Sequence, residues 1–281
     1  MSWIFLAIIN VFATAVANLY QKIAMREEKS DPISSAIAFQ LLTGVCYLVF
    51  ALIKGFQLPP ISLAPYFLGT MTFYAAGTVF IFKAIKLIEA SEMSIISGVG
   101  AIVTIITSMI FLHDTLSPTQ LIGAGCILTA VVVINLKKNG FVINKGIWYA
   151  MAGTALYGSA VIFDTTIIRV FDAVSFIPIG SFGTALVMMT AYPKKLPRVV
   201  QQLKKIDKNL LIYSLLYATS TIAFYLALAT GAKVGQVSTV VRSAIILTVL
   251  LSSVLLKERH DMDKKIIGAI LTTIGVILVS N

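Results

Sequence analysis

Apolar segments close to twenty residues long recur from one end of this chain to the other. A helix needs about 20 such residues to cross the hydrocarbon core of a bilayer, which is about 30 Å thick. The segments are continuous and do not alternate between polar and apolar residues, so they predict helices and not the strands of a barrel. We therefore expect an all-α integral membrane protein with ten transmembrane helices. The ten predicted spans are 3–21, 33–53, 65–83, 93–112, 118–136, 147–168, 174–192, 209–230, 235–256 and 265–280.

The composition excludes most other classes of protein. Of the 281 residues, 58% are hydrophobic and only 12% are charged, whereas about a quarter of an ordinary soluble domain is charged. This balance excludes disorder, coiled coils and secreted disulfide scaffolds, and it argues against a soluble globule. The formal net charge is +10, but most of the basic residues stand in short gaps between apolar segments. We therefore expect the lipid bilayer as a partner and no nucleic acid.

The basic residues are also distributed unevenly between the two sides of the predicted bundle. Gaps after odd-numbered spans hold 18 of the 22 Lys and Arg residues, whereas the termini and the other gaps hold only 3. Lysine and arginine mark the cytoplasmic side of membrane proteins. The count predicts a multi-pass protein of the plasma membrane with both termini outside the cytoplasm.

The two halves of the chain resemble each other. Their first five and last five spans are separated by a basic linker, and hydroxyl residues repeat at a constant offset of 144 residues. The repeated residues are Ser94, Thr104 and Ser108 in the first half and Ser238, Thr248 and Ser252 in the second. Because each half has an odd number of spans, the second copy must enter the membrane upside down, as in many transporters. We predict two inverted five-helix repeats, 1–138 and 147–281, joined by a cytoplasmic linker at 139–146.

The second half carries a recognisable pair of motifs. Leu-Leu-Lys-Glu-Arg at 255–259 is followed by Ile-Ile-Gly-Ala at 266–269. With the ten spans and two halves, this pattern resembles the EamA-type transporters of the drug/metabolite transporter superfamily. The chain departs from the family pattern in one respect. Relatives often have a proline before the acidic residue of the fourth and ninth spans, whereas here Ala101 and Ile245 stand near the expected places. The resemblance implies a carrier that needs no cofactor and works by alternating access around a central cavity. It does not define the substrate.

Two charged residues fall inside the predicted spans, where charges are costly and usually functional or paired. Asp164 in the sixth span and Arg242 in the ninth are placed at similar depths from the same side of the membrane. One hypothesis is that Arg242 binds an anionic substrate group while Asp164 takes up a proton or an ammonium group. The alternative is an ion pair that holds two helices together, or two side chains that reach the interface.

Uncharged polar residues inside the spans form a second group of candidates. Asn10, Thr14 and Asn18 are spaced four apart and share one helix face, which suits an internal cavity better than lipid. The alternative is that such side chains join helices to each other. The predicted substrate-binding residues are Asn10, Thr14, Asn18, Gln40, Tyr74, Thr78, Ser94, Tyr157, Tyr217, Gln236 and Arg242.

These observations favour an exporter of a small metabolite, such as an amino acid or a related compound. A flippase for a lipid-linked headgroup is an alternative with the same fold. A membrane-embedded enzyme is disfavoured, because the two histidines, His113 and His260, lie beside span ends and no catalytic or metal-binding motif is visible. We expect no metal, and a monomer or a weak homodimer.

Overall fold

The computed structural model describes residues 2–26, 30–112, 117–137, 140–141, 144–205, 207–230, 237 and 240–280. These residues form a helical bundle in two halves. The N-terminal half holds α1 (Trp3–Arg26), α2 (Pro32–Lys54), α3 (Ala64–Leu87), α4 (Ala90–Ile96), α5 (Val99–Leu112) and α6 (Pro118–Asn135). The C-terminal half holds α7 (Lys145–Ile168), α8 (Ala173–Ala191), α9 (Leu196–Lys204), α10 (Lys208–Ala229), α11 (Ala244–Leu255) and α12 (Met262–Ser280).

Short elements connect these helices. Two-residue strands, β1 (Leu136–Lys137) and β2 (Gly140–Phe141), pair antiparallel between the halves. Short 3₁₀ turns precede α3 at Ile61–Leu63 and α9 at Pro193–Lys195. Apart from these elements and the loops between them, the described ranges are helical, so the predicted class of an all-helical membrane protein is confirmed.

The predicted count of ten spans is not confirmed. Eight helical segments of the described chain are long and apolar enough to cross a membrane. The ninth, Val240–Leu255, is shorter. The last, α12, is 19 residues long, but it begins with Asp263, Lys264 and Lys265, which make its first turn polar. The predicted fourth span is broken into α4 and α5 at Ser97 and Gly98.

Local chemistry explains where several helices begin. Asp31 caps α2 by accepting a hydrogen bond from the amide of Ser34, and Pro32 occupies the first helical position. Ser117 and Gln120 form a reciprocal capping box at the start of α6. Such caps satisfy amides that would otherwise have no partner at the ends of helices.

Helices of one half pack mainly on helices of the other half. The broadest contacts join α3 to α7 and α1 to α10. In the first pair the helices run in opposite directions, since Thr70 meets Asp164 and Thr78 meets Tyr157. The same holds for α1 and α10, since Asn10 meets Ser220 and Ala7 packs in one cluster with Ala227. The halves therefore interlock along their length.

A second set of contacts between the halves is parallel. Helix α5 runs parallel to α7, and α11 runs parallel to α1. Each contact between α1 and the α11 segment joins residues that are 230 positions apart, since Asn18 contacts Thr248 and Arg26 contacts Leu256. The close approach of α5 and α7 requires glycine, because a Cβ on Gly158 would lie 2.3 Å from the carbonyl oxygen of Gly100. The first helix of each half thus packs on the third and fourth predicted spans of the other half.

The directions of the helices follow from these contacts. Helix α2 runs parallel to α10 and opposite to α8, and α3 runs parallel to α8. Helix α2 is therefore opposite both to α1 and to α3, so α1 and α3 run in the same direction. Because α7 is opposite to α3, α1 and α7 point in opposite directions across the bundle. A central cavity lies between the halves.

Candidate functional site

A cavity of about 360 Å³ lies between the two halves in the described part of the chain. Both halves contribute to its wall. The wall combines aromatic rings, hydroxyl groups, two carboxamides and one guanidinium group. The lining residues are Thr14, Asn18, Gln21, Phe39, Tyr74, Thr78, Ile81, Phe82, Ile85, Ala90, Met93, Ser94, Ser97, Gly100, Ala101, Thr104, Thr154, Tyr157, Gly158, Val161, Tyr213, Tyr217 and Arg242.

Most of the residues predicted from the sequence meet at this cavity. The structure places Thr14, Asn18, Tyr74, Thr78, Ser94, Tyr157, Tyr217 and Arg242 on its wall. Gln236 lies outside the described residues. Asn10 and Gln40 are described but are not part of this wall.

Asn10 and Gln40 join helices instead. The Asn10 side chain is buried, and its Nδ2 donates to the carbonyl oxygen of Ser220 over 2.6 Å. Gln40 donates to Thr78 Oγ1 over 3.2 Å and accepts from Ser181 Oγ over 2.9 Å. Gln40 also lines a neighbouring cavity of about 190 Å³. For Asn10, the interhelical role that was the alternative at the sequence level is the one observed.

The two cavities share an aromatic partition, formed by Phe39, Tyr74, Tyr157 and Tyr217. Its rings pack at close range: the Tyr74 and Tyr157 centroids are 4.7 Å apart and those of Phe39 and Tyr217 are 5.2 Å apart, both edge to face. Tyr157 is fixed further by a 2.8 Å hydrogen bond between its hydroxyl and Thr78 Oγ1. Movement of these rings would join the two spaces.

Asp164 and Arg242 do not pair. The Asp164 carboxylate accepts hydrogen bonds from the hydroxyls of Thr70 and Tyr74 across the α3–α7 contact. It stands behind Tyr74 and does not line the cavity. The Arg242 side chain lines the cavity and is exposed within it, and no hydrogen bond or ion pair joins it to any residue that the structure describes. The ion pair that was one alternative for these two residues is therefore not formed, and the aspartate is held by neutral hydroxyl donors.

Several wall residues were not among the predicted site residues. Gln21 is 5% exposed, and its Nε2 has no hydrogen-bond partner within the described chain. Its spacing of three residues from Asn18 continues the polar face of α1, so this signal was present in the sequence. The rings of Phe39, Phe82 and Tyr213 gave no such signal, because aromatic residues at helical spacing are as typical of a core as of a binding site.

One end of the cavity is bounded by a charged cluster that we call the Glu258 end, formed by Lys22, Arg26, Glu89, Glu258 and Lys265. Glu258 is 4% exposed and accepts hydrogen bonds from the Ala90 and Ser91 amides, at 3.1 and 3.2 Å. These amides begin α4, where a helix attracts negative charge. Because Ala90 also lines the cavity, the carboxylate lies directly behind the cavity wall.

The other members of the Glu258 end complete the cluster. Lys265 pairs with Glu89, and Arg26 donates to the carbonyl oxygen of Leu256 over 3.0 Å. Lys22 is buried and donates to the carbonyl oxygens of Ile85 and Ile88, beside the end of α3. The predicted spans left both Lys22 and Glu258 in the gaps between helices. The structure extends α1 to Arg26 and buries both residues.

Comparison with known proteins decides the family. The sequence model of the EamA-like transporter family matches residues 1–136 and 144–281. The chain belongs to the EamA-like transporter family. It is a multi-pass membrane transporter of that family, as the resemblance at the sequence level predicted. No curated protein matches the chain.

The fold of this EamA-like transporter is also found among solved structures. One crystal structure superposes with a TM-score of 0.62 at 15% sequence identity, over 96% of this chain and 97% of the other. At that identity the likeness shows the fold alone. Among the described residues of the transporter, no group of three or more His, Cys, Asp or Glu side chains is placed to hold a metal ion.

Proposed function

We propose that this EamA-like transporter carries a small organic metabolite out of the cell through the central cavity. The observation that carries the proposal is the position of the cavity, which lies between the two halves of the chain and has a wall from both. Binding sites of transporters built from repeats lie at the repeat interface. A volume of about 360 Å³ is near the lower limit for ligand pockets, so the cargo is small.

The proposed mechanism is alternating access by two inverted repeats, residues 1–138 and 147–281. Support comes from the reciprocal packing, in which α1 contacts α10 and α11 as α7 contacts α3 and α5. Support also comes from the opposite directions of α1 and α7. Two such halves can rock against each other around a fixed site, so that the cavity opens first to one side and then to the other.

We place the Glu258 end at the cytoplasmic face of the plasma membrane and both termini outside. The basic gaps after α1, α8 and α11 lie at this end, and basic residues mark the cytoplasmic side. In the proposed cycle the charged cluster must separate for the cavity to open to the cytoplasm, since its hydrogen bonds and ion pairs join the two halves.

Asp164 is proposed to couple transport to protons. Its carboxylate is inside the bundle and has hydroxyl partners but no cation among the described residues. One of those partners, Tyr74, lies on the cavity wall. Protonation would weaken the hydrogen bond from Tyr74 and so loosen the α3–α7 contact on the side opposite the Glu258 end.

Reconstitution into liposomes tests the function. Purified protein is incorporated, vesicles are preloaded with one unlabelled compound from a panel of amino acids and organic acids, and counterflow of the labelled compound is measured. We expect counterflow of at least one compound above protein-free vesicles, and its loss in Arg242→Ala but not in Arg169→Ala, which changes an exposed arginine at the end of α7. Flipping of a labelled lipid headgroup without counterflow of any soluble compound would contradict the proposal.

A further inference from the structure

The charge of the cavity wall restricts the charge of its cargo. Arg242 is the one cationic side chain on the wall within the described ranges, and no acidic side chain lines the cavity there. Lys22 is nearby but is held by the carbonyl oxygens of Ile85 and Ile88 and is not on the wall. A guanidinium group with no hydrogen-bond or ion-pair partner in the described chain is matched by one negative charge on a ligand.

One hydroxyl group of the wall lies at the level of this cation. Contacting residues of the parallel helices α1 and α11 are 230 positions apart, so Arg242 lies at the same height in the bundle as residue 12 of α1. Helix α10 runs the other way, and the Asn10–Ser220 bond places Tyr217 level with residue 13. The hydroxyls of Tyr213 and Tyr217 have no hydrogen-bond partner in the described chain, so both are free to donate to a ligand. Arg242 and Tyr217 can therefore bind the same anionic group.

The middle of the cavity is aromatic. Phe39 stacks on Tyr213 with centroids 4.6 Å apart, and Phe82 packs on Phe39 at 5.6 Å. Tyr74 and Tyr157 form the facing part of the wall. Rings prefer to pack edge to face or offset against other rings, and such packing stabilises a bound ring beyond its burial alone. This wall suits a flat apolar body.

Beyond the rings the wall becomes polar again. Gln21 lies nine residues along α1 from the level of Arg242, which at 1.5 Å per residue is roughly 14 Å. Its Nε2 has no hydrogen-bond partner in the described chain and can donate to a ligand. A ligand of one ring therefore fits between the anion-binding end and this amide.

We infer that the cavity binds an aromatic monocarboxylate, with the carboxylate on Arg242 and Tyr217 and the ring between Phe39, Phe82 and Tyr157. The inference rests on the proposed function and names the substrate class of the same site. It separates this class from zwitterionic amino acids, whose ammonium group finds no carboxylate on the wall. Asp164 does not supply one, because both of its oxygens accept hydrogen bonds from Thr70 and Tyr74.

Equilibrium binding to the purified full-length protein in nanodiscs tests the inference with three probes that share a phenyl ring. The probes are phenylacetate, phenylalanine and phenethylamine, measured as competitors of radiolabelled phenylacetate. We expect phenylacetate to bind at least about ten-fold more tightly than either of the others, since a charge-assisted hydrogen bond is worth about 1.5–3 kcal/mol, or roughly ten- to hundred-fold. Tighter binding of phenylalanine or phenethylamine, or no binding of phenylacetate, would overturn the inference.

Variants assign the effect to the proposed contacts. Arg242→Ala should weaken phenylacetate binding by about ten- to hundred-fold, and Arg242→Lys should restore part of it. Tyr217→Phe should weaken it by about five-fold, whereas Tyr66→Phe and Arg169→Ala, which change exposed residues away from the cavity, should leave it unchanged. If Arg242→Ala does not fold, Arg242→Lys and the ranking of the probes on the unaltered protein still decide the question.

The liposome assay separates failure of this inference from failure of the transport function. Counterflow of neutral or zwitterionic compounds, together with no binding of phenylacetate, overturns the substrate class and leaves the transporter. Absence of counterflow for every compound contradicts the transport proposal itself. Counterflow of phenylacetate that Arg242→Ala abolishes supports both.

Discussion

The two ends of the bundle hold the halves together by different chemistry. At the Glu258 end, a buried carboxylate accepts two backbone amides, and cations from α1 and α12 surround it. At what we call the Asp164 end, formed by Thr70, Tyr74 and Asp164, the carboxylate is held by hydroxyl groups alone. Removing one partner of a buried ion pair is strongly destabilising, whereas protonation of a carboxylate held by neutral donors leaves no unpaired charge behind. In the proposed cycle, the Glu258 end is the firm closure and the Asp164 end is the proton-dependent switch.

The largest effect is expected from removal of the buried carboxylate at the Glu258 end. Glu258→Ala should lower the free energy of unfolding by about 3 kcal/mol, because it leaves two amides and the Arg26 guanidinium without their acceptor. Chemical unfolding in detergent measures this. Asp263→Ala, which changes an exposed residue of α12, is the control and should change stability by less than about 0.5 kcal/mol. Equal effects of the two would show that the cluster does not hold the halves together.

The ion pair of the same end should show measurable coupling. A double-mutant cycle of Glu89→Gln and Lys265→Met is expected to give a coupling energy of about 1 kcal/mol, since Lys265 is 4% exposed and Glu89 is its charged partner. The measurement is again the free energy of unfolding of the two single variants and the double variant. Additive single effects would contradict the cluster as a cooperative unit.

At the Asp164 end a neutral replacement should affect function more than stability. Asn at position 164 can still accept from Tyr74 and donate to Thr70, so Asp164→Asn should change the free energy of unfolding by less than about 1 kcal/mol. Counterflow should persist, while accumulation driven by an imposed pH gradient should be lost. Accumulation that survives in Asp164→Asn would show that Asp164 is not the coupling group. The two ends would then differ in structure but not in their role in transport.

The smallest effect is expected at a partly exposed ion pair, which serves as a reference for the buried cluster. Asp31 and Lys195 lie 3.1 Å apart at the starts of α2 and α9. Burial alone raises the pKa of Asp31, but hydrogen bonds from Ser34 and Lys195 outweigh it and hold this pKa below the ordinary carboxyl value. The stabilisation is therefore complete above the ordinary aspartate pKa of about 4 and is lost as the pH falls through the lower folded value.

Asp31→Asn tests that assignment. Asparagine also caps helices, so the variant loses only the attraction to Lys195, and the free energy of unfolding should fall by about 0.5 kcal/mol at neutral pH. Below the folded pKa of Asp31 the two proteins should unfold with the same free energy. A difference that persists in acid would show that the effect comes from the cap and not from the charge.

Much of the fold was predictable because lipid restricts it. Twenty-residue apolar segments have few other structures available in a bilayer, so the class and most helix positions follow from hydrophobicity. The break at Ser97 and Gly98 was not predictable in this way, because both flanking segments are apolar. The burial of Glu258 was also missed, since its partners are backbone amides of α4, 167 and 168 residues earlier in the chain.

The site was predictable where polarity is unusual for its surroundings. Asn18, Thr78 and Arg242 stand out inside apolar segments and do line the cavity. The same signal included Asn10, but its side chain donates to a helix carbonyl oxygen and does not line the cavity. A carboxamide inside the bundle can be satisfied by a neighbouring helix as well as by a polar cavity. The sequence could not distinguish the two outcomes, since they depend on which neighbour faces each residue.

Accessibility of one wall residue from the two sides of the membrane tests the central claim most directly. Ser94→Cys is introduced where Cys46 and Cys126 have been replaced by alanine, and a membrane-impermeant thiol reagent is applied to right-side-out and to inside-out vesicles. Alternating access predicts labelling from both sides, with Glu258→Gln increasing the rate from the cytoplasmic side. Labelling from one side only, at a rate that Glu258→Gln leaves unchanged, would contradict a cavity that opens alternately between the two halves.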